Sequence, residues 1–131
     1  AVLLGSPTHY GNVASAVLKH VEDTWDYVSY DLSTKIGGVF CTSGAIHSGA
    51  ENVLQSLMRT LFGFRFIVVG GSPQLGGQYS SYGATAITGT PPFSSSERTH
   101  IDKEFHPPAI NFGERIVNAT ARYMGNMNVK P

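Results

Sequence analysis

Three things are scarce in this sequence: cysteine, an excess of charge of either sign, and long apolar runs. Cys41 is the only cysteine among 131 residues, which excludes an internal disulfide and favours a reducing, cytoplasmic compartment. Lys and Arg together number 9, as do Asp and Glu, so the formal charge is zero and we expect no nucleic-acid partner. No apolar run approaches the roughly 20 residues of a membrane span, and no signal-peptide pattern is visible, so we expect no membrane association.

Two nucleotide-binding motifs are also missing. The sequence contains neither G-x-G-x-x-G nor G-x-x-x-x-G-K-[ST], so it has no dinucleotide fingerprint and no Walker phosphate loop.

One segment contains several possible metal ligands: His100, Asp102, Glu104 and His106. Their spacing matches no zinc motif. We therefore expect no metal site.

What the sequence does contain is an alternation of short apolar runs and amphipathic segments. Apolar runs predict strands at residues 1–4, 36–41 and 66–70. Helical spacing predicts helices at residues 12–23, at about 51–63 and at 109–124. Residues 71–92, rich in Gly, Ser, Pro and Tyr, predict a long surface loop that forms a lid or a pocket wall. This alternation is typical of a single α/β domain, here residues 1–131, with an open parallel sheet, helices on both faces and right-handed crossovers.

Two loops follow the first two predicted strands. The first, residues 5–12, combines Pro7 and Gly11, which shape the backbone, with the Thr8 hydroxyl and the rings of His9 and Tyr10. The second, residues 42–49, is rich in small and hydrogen-bonding residues. Because ligands bind at the carboxyl ends of strands in open α/β sheets, we expect the two loops to converge on one crevice. The alternative is an ordinary pair of strand-to-helix connections.

Cys41 and His47 suggest a second kind of chemistry, a nucleophile with its base. Histidine titrates near neutral pH, so His47 is also a candidate acid or hydrogen-bond donor toward a ligand carbonyl. Cys41, however, lies in an apolar strand, which predicts an inert thiol. A solvated loop histidine remains the alternative for His47.

Four segments, taken together, resemble one family. GSPTHYGN follows the first strand, FCTSGAIHSGAEN follows the second, FRFIVVG is the third strand, and SSYGATAITG comes after it. Their order and approximate spacing resemble the flavodoxin-like NAD(P)H:quinone oxidoreductases, the tryptophan-repressor-binding-protein family. The resemblance spans most of residues 1–90.

The resemblance implies a flavodoxin-like fold and an enzyme that uses FMN to pass electrons from NAD(P)H to quinones. It implies no catalytic side chain, because hydride transfer belongs to the flavin. It also implies that two sets of residues border the isoalloxazine ring. They are Pro7, Thr8, His9, Tyr10, Gly11 and Asn12 on one side, and Thr42, Ser43, Gly44, Ala45, Ile46 and His47 on the other.

The family's first strand, its phosphate-binding loop and its second strand have no counterpart in the sequence. The resemblance therefore implies a partial flavodoxin-like domain, truncated at its N-terminus, in which residues 1–4 form an exposed apolar edge. We expect this edge to pair with a second copy, with another chain or with further residues of the same protein. Two other functions stay open: an electron-carrier or interaction module without turnover, and a remnant that oligomerises and does not bind FMN.

Overall fold

The structure, a computed structural model, describes residues 1–25, 32–71, 81–88 and 101–125. The aromatic segment 25–30 suggests a loop, and Ser94 and Glu97 have the spacing of a capping box. These residues and His100 fall wholly or mainly outside the described ranges. In chain order the elements are β1 (Val2–His9), β2 (Asn12–Val13), α1 (Ser15–Trp25), β3 (Ile36–Ser43), α2 (Ala50–Gly63), β4 (Ile67–Val68), β5 (Ala84–Ile87), a short 3₁₀ turn (Lys103–Phe105) and α3 (His106–Tyr123).

Strand β3 is the centre of the sheet. β1 pairs with it in parallel from Val2 opposite Gly37 to Pro7 opposite Thr42. β4 pairs in parallel with the start of β3, and β5 pairs in parallel with its end. Because Phe40, Cys41 and Thr42 pair with both β1 and β5, these two strands lie on opposite edges of β3. The predicted parallel sheet is confirmed, and the single antiparallel pairing among the described strands is the short contact of β2 with β1.

The third predicted strand differs from the observed one. Among the described residues that follow α2, the chain pairs with β3 at Ile67–Val68 and again, as β5, at Ala84–Ile87. A backbone hydrogen bond of 2.8 Å from Gly71 N to Ser81 O links the residues after β4 to those before β5. The prediction of one loop over residues 71–92 is therefore wrong at 84–87. β3 is long enough to pair with two short strands in succession, which a local apolar pattern does not reveal.

Helices cover both faces of the sheet, as expected. On one face, Val39 and Cys41 of β3 pack with Leu54 and Leu57 of α2, and Val17 and Val21 of α1 border this cluster. On the other face, Ile36 packs with Phe112 and Ile116 of α3. Alternate residues of a strand point to opposite faces, so β3 serves both clusters.

Two adjacent glycines in β3 bring the helices close to the sheet. A Cβ on Gly38 would lie 2.7 Å from Ile116 Cδ1 and 2.8 Å from Phe112 Cζ. A Cβ on Gly37, on the opposite face, would lie 3.0 Å from Leu61 Cδ1. The helices therefore contact the backbone of the central strand directly.

Helix boundaries follow the predictions with one notable exception. α2 ends at Gly63 as expected, and α3 begins three residues earlier than expected because Pro107 and Pro108 occupy its first turn. α1 begins at Ser15, not at Asn12. Asn12 and Val13 instead pair with β1, so the predicted helix start at Asn12 is wrong.

Candidate functional site

β1 continues through most of the first predicted loop and ends in a tight hairpin. Thr8 pairs with Val13 and His9 with Asn12, which leaves Tyr10 and Gly11 as the two turn residues. Both have positive φ, 51° and 76°, as in the two-residue turns that match the twist of paired strands. Pro7, Thr8 and His9, expected in a loop, are therefore strand residues, and only the turn projects beyond the sheet.

Ser6 anchors the base of this hairpin. Its hydroxyl is buried, accepts a hydrogen bond from Ala14 N at 2.9 Å and donates one to Pro7 O at 2.7 Å. This links the end of β1 to the residue before α1. The direction in which the hairpin leaves the sheet is thus fixed by a buried hydrogen bond.

The second predicted loop is organised around two serine hydroxyls. Thr42 and Ser43 are the last residues of β3, and the loop proper is residues 44–49. The hydroxyls of Ser43 and Ser48 hydrogen bond to each other, and each lies within hydrogen-bond distance of Ala45 O, at 2.7 and 2.8 Å. Ser43 is buried, so its hydroxyl holds the loop together and does not face solvent.

Three residues of this second loop are exposed to solvent. Ile46 is 44% exposed, His47 is exposed with a φ of 61°, and Gly44 is exposed with space around its Cα. Gly49 ends the loop with a φ of 92° and precedes α2. Residues 44–47 therefore precede the N-terminus of α2, where the helix dipole favours negative charge.

The two loops meet, as the strand topology predicts. A Cβ on Gly49 would lie 2.6 Å from Gly11 Cα, so the two backbones touch. Asn52, in the first turn of α2, donates a hydrogen bond of 2.8 Å from Nδ2 to Gly11 O. Pairing of β1 with β3 thus brings the predicted residues of both sets to one edge of the sheet.

Thr88 also lies next to this site, although it is not among the residues predicted to border the ring. Its N–H donates to Ser43 O at 2.7 Å, and its hydroxyl donates to the same carbonyl at 3.4 Å. The residue lies directly after β5, at the edge where the two loops meet. It belongs to the segment SSYGATAITG, one of the four segments on which the family resemblance rests.

Cys41 has the environment of a structural thiol. It is 2% exposed, and burial raises the pKa of its thiol from 9.0 to about 11. A thiol with this pKa stays protonated at neutral pH and is a poor nucleophile. The structure therefore supports the inert thiol over a Cys41–His47 pair.

In the described residues, His, Cys, Asp and Glu form no group of three that could hold a metal ion. Within the same ranges, every helix falls short of the length and apolarity that a membrane crossing requires.

Comparisons with known proteins agree with this architecture. The chain is 35% identical over 132 residues to an NAD(P)H dehydrogenase (quinone) of Solidesulfovibrio magneticus, covering 93% of this chain and 62% of the relative. Proteins of the same name from Geotalea daltonii and Paracoccus denitrificans are 32% and 34% identical over 134 and 97 residues. The alignments cover 95% and 73% of this chain and 57% and 45% of those relatives. No family model matches. The chain is homologous to these quinone dehydrogenases.

The solved structures show the fold. A flavodoxin, WrbA-like protein from Agrobacterium tumefaciens superposes with a TM-score of 0.65 at 17% identity, covering 92% of this chain and 66% of that chain. The flavodoxin-like fold and the resemblance to the quinone dehydrogenases are thus confirmed. The chain itself spans less than two thirds of the length of each of the three named relatives.

Proposed function

We propose that the two converging loops hold the isoalloxazine ring of FMN and that the protein reduces quinones with NAD(P)H. The observation that carries the proposal is the contact of Gly11 with Gly49, which joins the two residue sets at one sheet edge. The relatives named NAD(P)H dehydrogenase (quinone) supply the reaction. The carboxyl edge of a parallel sheet is the place where open α/β folds bind ligands.

The chemistry of the residues suits a flat ring with a polar rim. Tyr10 is fully exposed at the tip of the hairpin and offers an aromatic face for stacking. Thr8 and the backbone groups of the exposed Ile46 and His47 offer hydrogen bonds to the rim, close to the N-terminus of α2. When bound, FMN supplies a carrier of two electrons between NAD(P)H and a quinone. We assign only the ring to these loops and no described residue to the phosphate.

The decisive experiment is a flavin titration of the 131-residue chain. We expect protein to quench FMN fluorescence in a saturable way. Because only the ring is assigned, riboflavin, which has the same ring without the phosphate, is expected to bind within a few-fold of FMN. Quinone reduction that depends on both NADH and added FMN would support the full proposal. An unchanged flavin signal at high protein concentration would contradict flavin binding by this chain.

We further propose that the protein works in the cytoplasm, where a single buried thiol stays reduced.

Flavin binding without quinone reduction would favour the alternative function, an electron-carrier module. The same titration distinguishes the two, because a carrier binds flavin and gives no NADH-dependent quinone reduction.

We also propose that the outer edge of β1 pairs with a second copy of this chain. In the described residues, no strand pairs with the outer side of Val2–Pro7, since β2 contacts β1 only at Thr8 and His9. Val2 and Leu3 on this edge are 44% and 47% exposed. An unpaired apolar strand is a template for another strand, and identical edges pair across a two-fold axis.

A further inference from the structure

Asn52 links the two loops directly. It is the third residue of α2 and lies 41 positions after Gly11 in the sequence, yet its Nδ2 donates to Gly11 O at 2.8 Å. The side chain is exposed, so it is not held in place by core packing. This hydrogen bond therefore constrains the position of the hairpin turn relative to the start of α2.

The turn that Asn52 contacts has two carbonyl groups, and each accepts a hydrogen bond from an asparagine side chain. Asn12 Nδ2 donates to Tyr10 O at 3.0 Å, and Asn52 Nδ2 donates to Gly11 O. Because a trans peptide is planar, fixing a carbonyl also fixes the N–H of the same peptide, which points the opposite way. Asn12 therefore orients the Tyr10–Gly11 peptide from within the hairpin, whereas Asn52 orients the Gly11–Asn12 peptide from α2.

The Gly11–Gly49 contact limits how the loops approach, but it does not fix their relative rotation. Two glycine backbones in van der Waals contact offer no directional bond. The Asn52 hydrogen bond is directional, and it acts next to this contact. Together they define both the distance and the orientation of the hairpin relative to residues 44–49.

We propose that Asn52 is a positioning residue that holds the Tyr10–Gly11 turn at the separation from residues 44–47 that a flavin ring requires. The inference rests on the proposed function, because the ring is the ligand that both loops would contact. Asn52 itself does not contact the ring in this proposal. Its neutral amide is required, since an ionised carboxylate at the same place would face the Gly11 carbonyl without a proton to donate.

The test compares Asn52→Ala and Asn52→Asp with the matched variant Asn118→Ala, which also replaces a helical asparagine but lies in α3. Losing one hydrogen bond is expected to weaken FMN binding by about 2-fold to 10-fold in Asn52→Ala, with no change in Asn118→Ala. Asn52→Asp is expected to weaken binding at neutral pH, because the ionised carboxylate cannot donate the hydrogen bond to Gly11 O.

A pH profile separates positioning from general loss of structure. In Asn52→Asp, affinity relative to the native chain is expected to recover as the pH falls below about 4, where the carboxyl regains a proton to donate to Gly11 O. A ratio that stays flat with pH would overturn the role of the amide proton.

Hydrogen exchange measured without flavin tests the positioning role separately from flavin binding. We expect faster exchange in a peptide covering residues 8–13 of Asn52→Ala than in Asn118→Ala. If the native chain does not bind FMN but this difference appears, the proposed function fails and the positioning role stands. If FMN binds and neither affinity nor exchange responds to Asn52→Ala, the positioning role is wrong and the proposed function stands.

Discussion

Tyr10 combines full exposure with a backbone conformation that is unfavourable for a tyrosine. Its φ is 51°, in the left-handed region that costs a non-glycine residue roughly 1–2 kcal/mol. A fully exposed ring gains nothing from packing to offset this cost. Strain without a packing gain is typical of functional positions, which supports a ligand-facing role for the ring.

Tyr10→Asn should separate stability from binding. Asparagine enters the left-handed region more readily than tyrosine, so the free energy of unfolding is expected to stay equal or rise by up to about 1 kcal/mol. Loss of the ring is expected to weaken FMN binding by about 1 kcal/mol. Urea denaturation and flavin titration measure the two effects. Ile110→Asn, at a 60% exposed position on α3, is the control for surface polarity. Unchanged flavin affinity in Tyr10→Asn would contradict the stacking role.

Burial of the Cys41 thiol predicts a change in the free energy of unfolding at alkaline pH. The pKa of its thiol rises from 9.0 unfolded to about 11 folded, so its contribution to stability is fully present below pH 9 and is lost as the pH rises through 11. The difference in unfolding free energy between the native chain and Cys41→Ala should therefore be smaller near pH 11 than near pH 8. Any cavity left by the substitution contributes equally at both values. A difference that does not change with pH would contradict burial of the protonated thiol.

At the scale of elements, α3 is attached to the sheet through few side chains. Phe112 and Ile116 are 3% and 4% exposed and lie over Gly38, whose missing side chain lets them reach the strand. Most of the opposite face of α3 is exposed, including Val117 at 65%. The docking of this helix therefore depends on two adjacent turns.

Ile116→Ala is expected to lower the free energy of unfolding by about 2–5 kcal/mol, since it removes buried methyl groups and leaves a cavity. Val117→Ala, one residue along the same helix, is expected to change it by less than about 0.5 kcal/mol. Chemical denaturation of the two variants gives the comparison. Equal effects would mean that α3 does not dock on the sheet through Ile116.

The elements that the sequence predicted correctly are those with strong local periodicity. α2 and α3 carry apolar residues at helical spacing, and β3 is a continuous apolar run, so their patterns predict both type and place. β5 was missed because its residues, ATAI, are small and lie in a segment rich in glycine and serine. The β1–β2 hairpin was missed because Tyr-Gly is not among the residue pairs that favour a two-residue turn.

The candidate site was predictable in its location but not in its construction. The order of strands and loops was enough to place both residue sets at one sheet edge. The close contact of Gly11 with Gly49 and the bond from Asn52 join residues about 40 positions apart, and no local pattern encodes them. Burial of Ser43 likewise depends on its partner Ser48 and on the neighbouring strand β5.

At the scale of the whole molecule, the outer edge of β1 at Val2–Pro7 is unpaired among the described strands. A cavity of about 570 Å³ lies between Ala1 and α3 on one face of the sheet, lined in part by Val117 and Met124. A second cavity of about 220 Å³ lies beside Val2 and Leu4 on the other face. Apolar surface thus continues beyond the last strand on both faces. A strand added here must be apolar on both sides, and β1 itself has this composition at residues 1–4.

Self-association through β1 is therefore expected, and Leu3→Lys should reduce it. A lysine at an edge strand opposes pairing because the partner strand would have to desolvate its charge. Light scattering at tens of micromolar should show a dimer or larger species for the native chain and a shift toward monomer for Leu3→Lys. Phe62→Lys is the matched control, because Phe62 is 57% exposed and lies on α2 rather than on β1. A monomeric native chain would refute the pairing. Equal shifts in both variants would mean that charge alone, rather than the β1 edge, controls association.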